Sequence, residues 1–181
     1  MTEIVNVVAS GSLGRELDVT SVAEDINAGE VDTQSYEYRT PTLYVKEHDG
    51  SPLATVYESG SYHISGAKSV DEAEATRDWL ISALEDLGVE IGDISFSVAN
   101  VVVVGDLEKK IDMNNLVIEL GFEATEYEPE QFPGLVYRPE DSECVFLIFS
   151  SGRVVIPGAP DAETAFNGFD ELKKKLTALA K

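Results

Sequence analysis

The chain has 181 residues, of which 34 are acidic and 13 basic, for a net charge of -21. A hydrophobic share of 43% is too high for a disordered acidic tail, and no apolar run approaches the ~18–20 residues that span a bilayer. The single cysteine, Cys144, excludes an intrachain disulfide and, inside the apolar run CVFLIF, reads as a buried structural thiol in a reducing compartment. The acid is spread along the chain rather than blocked at one end. That pattern points to a protein solvated by carboxylates in a salt-rich cytoplasm, with an ordinary acidic protein as the alternative. The start, MTEIVN, has no basic region before an apolar stretch, so no secretory signal is expected and the location is cytoplasmic.

The first predicted element is a strand over about residues 3–9, EIVNVVA, with Asn6 among β-branched residues. A strand interior disfavours asparagine, and burying its amide unpartnered costs about 1–3 kcal/mol. Asp18 then caps a helix whose apolar residues are Val19, Val22, Ala23 and Ile26, at helical spacing. Strands follow at Leu43–Lys46, Leu53–Glu58 and Tyr62–Ser65, with a tight hairpin at Ser59-Gly60. Ser69-x-x-Glu72 is a capping box. It opens a helix with Thr76, Leu80, Ala83, Leu84 and Leu87 on one stripe, Trp79 on the buried side and Gly88 past its end.

The series then repeats. A strand over 95–104 carries Asn100; Asp112 caps a helix with Met113, Leu116, Val117 and Leu120. Strands follow at Leu135–Arg138, Cys144–Ser150 and Arg153–Ile156, with a turn at Ser151-Gly152. A helix over Asp161–Ala180 shows a stripe of Ala165, Phe169, Leu172, Leu176 and Leu179. Asn6 and Asn100, Leu13 and Leu107, and Asp18 and Asp112 each stand 94 residues apart; Pro41 and Pro133, Gly60 and Gly152, and Gly66 and Gly158 stand 92 apart. The first copy therefore carries two extra residues, expected between about Ile26 and Tyr36. Such self-similarity marks an internal duplication: a first repeat over 1–92 and a second over 93–181, packed as one pseudo-twofold α+β unit. Each has an antiparallel sheet with helices on one face and the other face open. Because strand side chains alternate, Asn6 and Val8 share one face, as do Asn100 and Val102, Leu147 and Phe149, and Val155 and Pro157. Thr55, Tyr57, His63 and Ser65 are the first-copy counterparts.

The stretches VNVVASG…LGRELD, YEPEQFPGLVYR and VFLIFSSGRVVIPGA resemble those of the archaeal TATA-box-binding proteins, over nearly the whole chain and including the duplication. With the acidic charge, the resemblance is to a halophilic type. It implies a saddle-shaped fold whose curved antiparallel sheet, helices on its convex side, sits on the minor groove of A·T-rich double-stranded promoter DNA. This implies a transcription initiation factor that bends DNA, recruits transcription factor B and so serves RNA polymerase indirectly, in association with the nucleoid. Asn6 and Asn100 would hydrogen-bond the groove's acceptors, flanked by Val8 and Val102. Phe132 and Phe149 would wedge between base steps, with Leu147 and Val155 on the same face. Arg138 and Arg153, and Lys46 and Lys68 in the first copy, match phosphate-contacting positions. Glu128 and Glu130 would meet transcription factor B.

The first copy departs from the family pattern. Thr40 stands where Phe132 stands, Tyr57 replaces the other phenylalanine, His63 an expected small apolar residue and Ser61 an expected basic one. In the second copy Pro157 replaces an expected threonine and Pro160 an expected lysine. These departures imply altered kinking at one end. They keep open an alternative: a divergent paralogue with weakened DNA binding that acts as a regulatory interaction protein. For His63, a phosphate contact and a plain surface histidine both stay open, as does a homodimer in the absence of DNA. No catalytic triad, thiol–histidine pair or metal-ligand spacing is present, so no enzymatic activity, cofactor, metal or membrane partner is expected.

Overall fold

A computed structural model describes residues 1–37 and 39–179, with the side chain of Tyr36 left aside. The predicted helix end at Ala180 lies outside the described residues. Among the described residues the chain forms β1 (Thr2–Ser12), α1 (Val19–Asp25), β2 (Glu30–Tyr36), β3 (Arg39–Lys46), β4 (Leu53–Tyr57), β5 (Ser61–Ala67) and α2 (Val70–Asp86). It continues with β6 (Ser97–Asp106), α3 (Met113–Leu120), β7 (Thr125–Glu126), β8 (Leu135–Tyr137), β9 (Phe146–Ile148), β10 (Arg153–Ala159) and α4 (Ala162–Leu179). The chain packs as two units, Asn6–Ala99 and, with Met1–Val5, the chain from Asn100 onward.

In the first unit the strands run in the order β2-β3-β4-β5-β1, and in the second β6-β10-β9-β8-β7; all the pairings within each unit are antiparallel. Val7 and Ala9 on β1, Leu43 and Val45 on β3, and Ala54 and Val56 on β4 are fully buried. Their neighbours at alternate positions are only half-buried, as a two-residue period demands. Helix α1 packs on β2 and β3, and α2 on β4 and β5. In the second unit α3 packs on β7 and β8, and α4 on β10. Phe169 of α4 lies so close over Gly105 of β6 that a Cβ there would come within 2.4 Å of the ring.

The duplication is reproduced bond by bond. Val7 pairs with Ala67 and Ala9 with Ile64; their counterparts Val101 and Val103 pair with Ala159 and Ile156. Both ladders slip at the same place, at Ser65-Gly66 and at Pro157-Gly158, forming matched bulges. Leu13 N–H donates to the Gly60 carbonyl at 2.8 Å, and Leu107 N–H to the Gly152 carbonyl at 2.9 Å. Asp18 accepts from the Ser21 N–H and Asp112 from the Asn115 N–H, so both predicted caps form. Those backbone hydrogen bonds hold the Asp18 carboxyl below its ordinary range. Ser69 caps α2 through the Glu72 N–H. The turns closing at Gly60 and Gly152 have φ of 88° and 97°, in the region glycine favours.

The structure corrects the sequence reading in several places. Strands β2 and β7 complete a set of four strands after the first helix of each copy, a fourth strand which the sequence allowed for but gave no position. Glu30–Ser35 are all exposed, so this edge strand is held by pairing with β3 and shows no apolar alternation. Register also bounds the two-residue difference: Asp32 pairs with Tyr44 as Glu126 pairs with Val136, so the extra residues lie between Asp32 and Tyr44, a stretch that overlaps the expected one and extends past it. Leu179, predicted on the buried stripe of the last helix, is 41% exposed at the end of α4. Trp79 is half-buried, and Cys144 is buried with its thiol donating to the Thr164 carbonyl.

A buried phenol anchors the segment that follows α2. Tyr62 is fully buried and its hydroxyl donates to the Ser95 carbonyl at 2.7 Å. Gly11 leaves the space for this contact: a Cβ there would stand 2.0 Å from that carbonyl oxygen. Burial pushes the Tyr62 phenol above its ordinary value, with the Arg77 guanidinium pulling the other way.

Candidate nucleic-acid interface

The helix-free face of each unit carries most of the residues singled out in the sequence. Asn6 and Val8 on β1, and Asn100 and Val102 on β6, are half-buried at alternate positions to the buried valines. The asparagines are not stray polar groups in apolar strands. Asn6 Oδ1 accepts from the Gly66 N–H at 2.7 Å, where the bulge frees that donor. Its Nδ2 keeps both hydrogens without a protein partner among the described residues. Asn100 sits against the matching bulge and donates from Nδ2 to the Pro157 carbonyl at 3.4 Å. The Nδ2 group carries a second hydrogen besides the one given to Pro157. The neighbouring strand thus satisfies one end of each amide and leaves the other for a ligand.

In the second unit Phe132 and Phe149 meet edge to face, with ring centroids 5.8 Å apart at 71°. Phe132 is 40% exposed, an unusual state for a ring that buries well. Its loop is built locally. The Glu128 carbonyl accepts from the N–H groups of Gln131 and Phe132, and Pro133 stiffens the exit. Gly134, not singled out in the sequence, makes the pair possible. A Cβ there would lie 2.7 Å from the Phe132 ring and 3.1 Å from the Phe149 ring. Leu147 and Val155 face each other across β9 and β10 beside the pair. Glu128 and Glu130 are exposed on the same loop.

In the first unit the equivalent stretch is paired strand among the described residues: β2 and β3 pair down to Tyr36 and Arg39, with a register shift between Gln34 and Tyr36, and Thr40 lies within β3. Thr42 pairs with Tyr57 at the register position of Gly134, so a side chain stands where the second unit has none. Tyr57 instead meets His63 edge to face, with centroids 5.5 Å apart at 72°.

The cations stand at the margins. Lys46, at the end of β3, lies 3.7 Å from Glu30, and Arg138 lies 3.2 Å from Glu126. Two of the four predicted phosphate contacts therefore have a carboxylate beside them on the neighbouring strand, a pairing invisible before β2 and β7 were placed. Lys68 and Arg153 are exposed; the Lys68 N–H donates to Glu72. Among the described residues no cluster of His, Cys, Asp and Glu is arranged to hold a metal ion, and no helix is long and apolar enough to cross a membrane.

Two α+β repeats, each with one sheet face under helices and one uncovered, define a class of protein built around its sheet surface. The chain belongs to the family described as transcription factor TFIID, or TATA-binding protein, whose model matches residues 1–87 and again 95–179. It is 44% identical to TATA-box-binding protein C of Halobacterium salinarum over 98% of both chains. It is 37% identical to the TATA-box-binding protein of Natronomonas pharaonis, over 97% of this chain and 92% of that one. Among solved structures, the Methanococcus jannaschii TBP matches with a TM-score of 0.84 and 32% identity, covering 98% of each chain.

Proposed function

We propose that this chain is a transcription initiation factor that binds A·T-rich promoter DNA in the minor groove. The open face of each repeat, 1–92 and 93–181, meets one half of the element. The observation that carries the reading is the Phe132–Phe149 pair, with Phe132 exposed and Phe149 half-buried against it. An aromatic pair with one exposed ring on an apolar surface suits insertion between base steps, the mode by which this family is known to kink DNA from the minor groove. The free Nδ2 of Asn6, and the second Nδ2 hydrogen of Asn100, supply donors for the A N3 and T O2 acceptors that an A·T groove offers. Val8, Val102, Leu147 and Val155 supply apolar contact around them, and Tyr57 stacks or packs at the other end. Lys46, Lys68, Arg138 and Arg153 flank the faces as phosphate partners. Glu128 and Glu130, exposed on the loop that lifts Phe132, are the surface offered to transcription factor B. RNA polymerase is engaged through that factor.

The test is a mobility shift on an A·T-rich promoter at high KCl, with and without transcription factor B. The expected outcome is a bent complex that factor B supershifts, and that loses the supershift when Glu128 and Glu130 become lysine. No complex under any salt condition would overturn the reading. Thr40, His63, Pro157 and Pro160 favour a second reading, a regulatory paralogue. Its signature is factor B binding without a DNA complex.

A further inference from the structure

The two open faces carry opposite chemistry at equivalent positions. Register defines a row across four strands of the first unit: Ser10 pairs with His63, His63 with Thr55, and Thr55 with Tyr44. The equivalent row of the second unit is Val104, Val155, Leu147 and Val136, joined by the same three pairings. Each member of both rows is half-buried except His63, which is exposed. Every position is a hydrogen-bonding side chain in one unit and an aliphatic one in the other. His63 is held in the row by the edge-to-face contact with Tyr57.

This matters because of what the minor groove displays. A·T and T·A pairs present acceptors alone, whereas a G·C pair adds one donor, the guanine N2 amino group. Valine and leucine cannot accept from that amino group, so covering it with the second unit's row leaves a buried donor unpaired. Serine, threonine and tyrosine hydroxyls both donate and accept, and a neutral imidazole has one accepting nitrogen. The first unit's row therefore accommodates either kind of pair.

We propose that the two repeats read different half-sites. The first admits a G·C pair, its N2 amino group held by the Ser10–His63–Thr55–Tyr44 row, and the second requires A·T. The element is thereby read with a direction. This rests on the minor-groove reading above.

The experiment uses the full chain at high KCl and three sets of duplexes: an all-A·T element, the same element with one G·C pair in either half, and each of those with inosine in place of guanine. Inosine lacks the N2 amino group and changes nothing else in the groove. In one half, G·C and inosine are both expected to bind as the all-A·T duplex does, since the row meets either kind of pair. In the other half, G·C is expected to weaken binding by about tenfold, the worth of a good polar base contact, and inosine to restore it. The variant Thr55→Leu with His63→Val is expected to lose G·C tolerance while still binding the all-A·T duplex, which also shows that it is folded. Leu147→Thr with Val155→His is expected to gain tolerance in the other half. Equal exclusion of G·C from both halves, or inosine binding better than guanine in both, overturns the proposal alone. Failure to bind the all-A·T duplex at any salt overturns the minor-groove reading and this proposal with it.

Discussion

Single side chains decide where an exposed aromatic pair can exist. Gly134 leaves room for the Phe132 and Phe149 rings, and Thr42 stands at the matching register position opposite Tyr57. Thr40 alone is therefore an incomplete account of the missing wedge, since a ring restored there would meet Thr42. Gly134→Thr tests this. The added Cβ would press on ring ends, which can rotate away, so the variant is expected to fold but lose the pair's outward pose. Burying one aromatic ring is worth about 1.5–3 kcal/mol, so DNA affinity should fall by about tenfold or more. Bending, measured by end-to-end fluorescence transfer, should fall with it. Unchanged bending would mean that the pair is not a wedge.

At the scale of elements, the two repeats are tied together internally by the same turn. The closing glycines of the β4–β5 and β9–β10 hairpins are pinned against the loop that leaves β1 or β6. A Cβ on Gly60 would come within 1.9 Å of the Arg15 carbonyl oxygen, and on Gly152 within 2.2 Å of the Lys109 carbonyl oxygen. Both residues also hold positive φ, which an alanine adopts only at a cost. Backbone cannot step aside as a ring can. Gly60→Ala and Gly152→Ala are each expected to destabilise the fold by more than ~2 kcal/mol, read as a lowered denaturant midpoint. A change within ~0.5 kcal/mol, the range of an ordinary surface site, would show that the turn is not what holds the loop. These glycines, the Asp18 and Asp112 caps and the long helices were all legible in the sequence, because each depends on a few neighbouring residues. Strands β2 and β7 were not. An exposed edge strand has no buried side, so EVDTQSY shows no apolar period to read.

For the molecule as a whole, a net charge of -21 repels the DNA polyanion. The cations that flank the faces add to the difficulty, since Lys46 and Arg138 each stand beside a glutamate. Ordinary DNA binding is driven by counterion release and weakens steeply with salt. Here the balance inverts. At ~1 M salt the Debye length is about 3 Å, which screens the repulsion and loosens the exposed ion pairs, while apolar burial persists at ~25 cal/mol/Å². Affinity for an A·T-rich duplex, measured by fluorescence anisotropy, is expected to rise or hold as KCl goes from about 0.2 to about 2 M, against the usual slope. A steep loss over that range would sink this account.

The sequence by itself determined the duplication, its change of register, the element types, the paired asparagines and the phenylalanines of the second repeat. These are carried by local periodicity, by caps and turns, and by comparison of one half with the other. Tertiary structure alone decided that each asparagine amide has one end satisfied by a bulge, that Thr42 stands opposite Tyr57 where the second repeat has Gly134, and that Ser10, His63, Thr55 and Tyr44 form one row. Those residues come from four strands, and their alignment is set by cross-strand register. Register depends on turn geometry and bulges acting over long sequence separations, and no stretch of neighbouring residues records it.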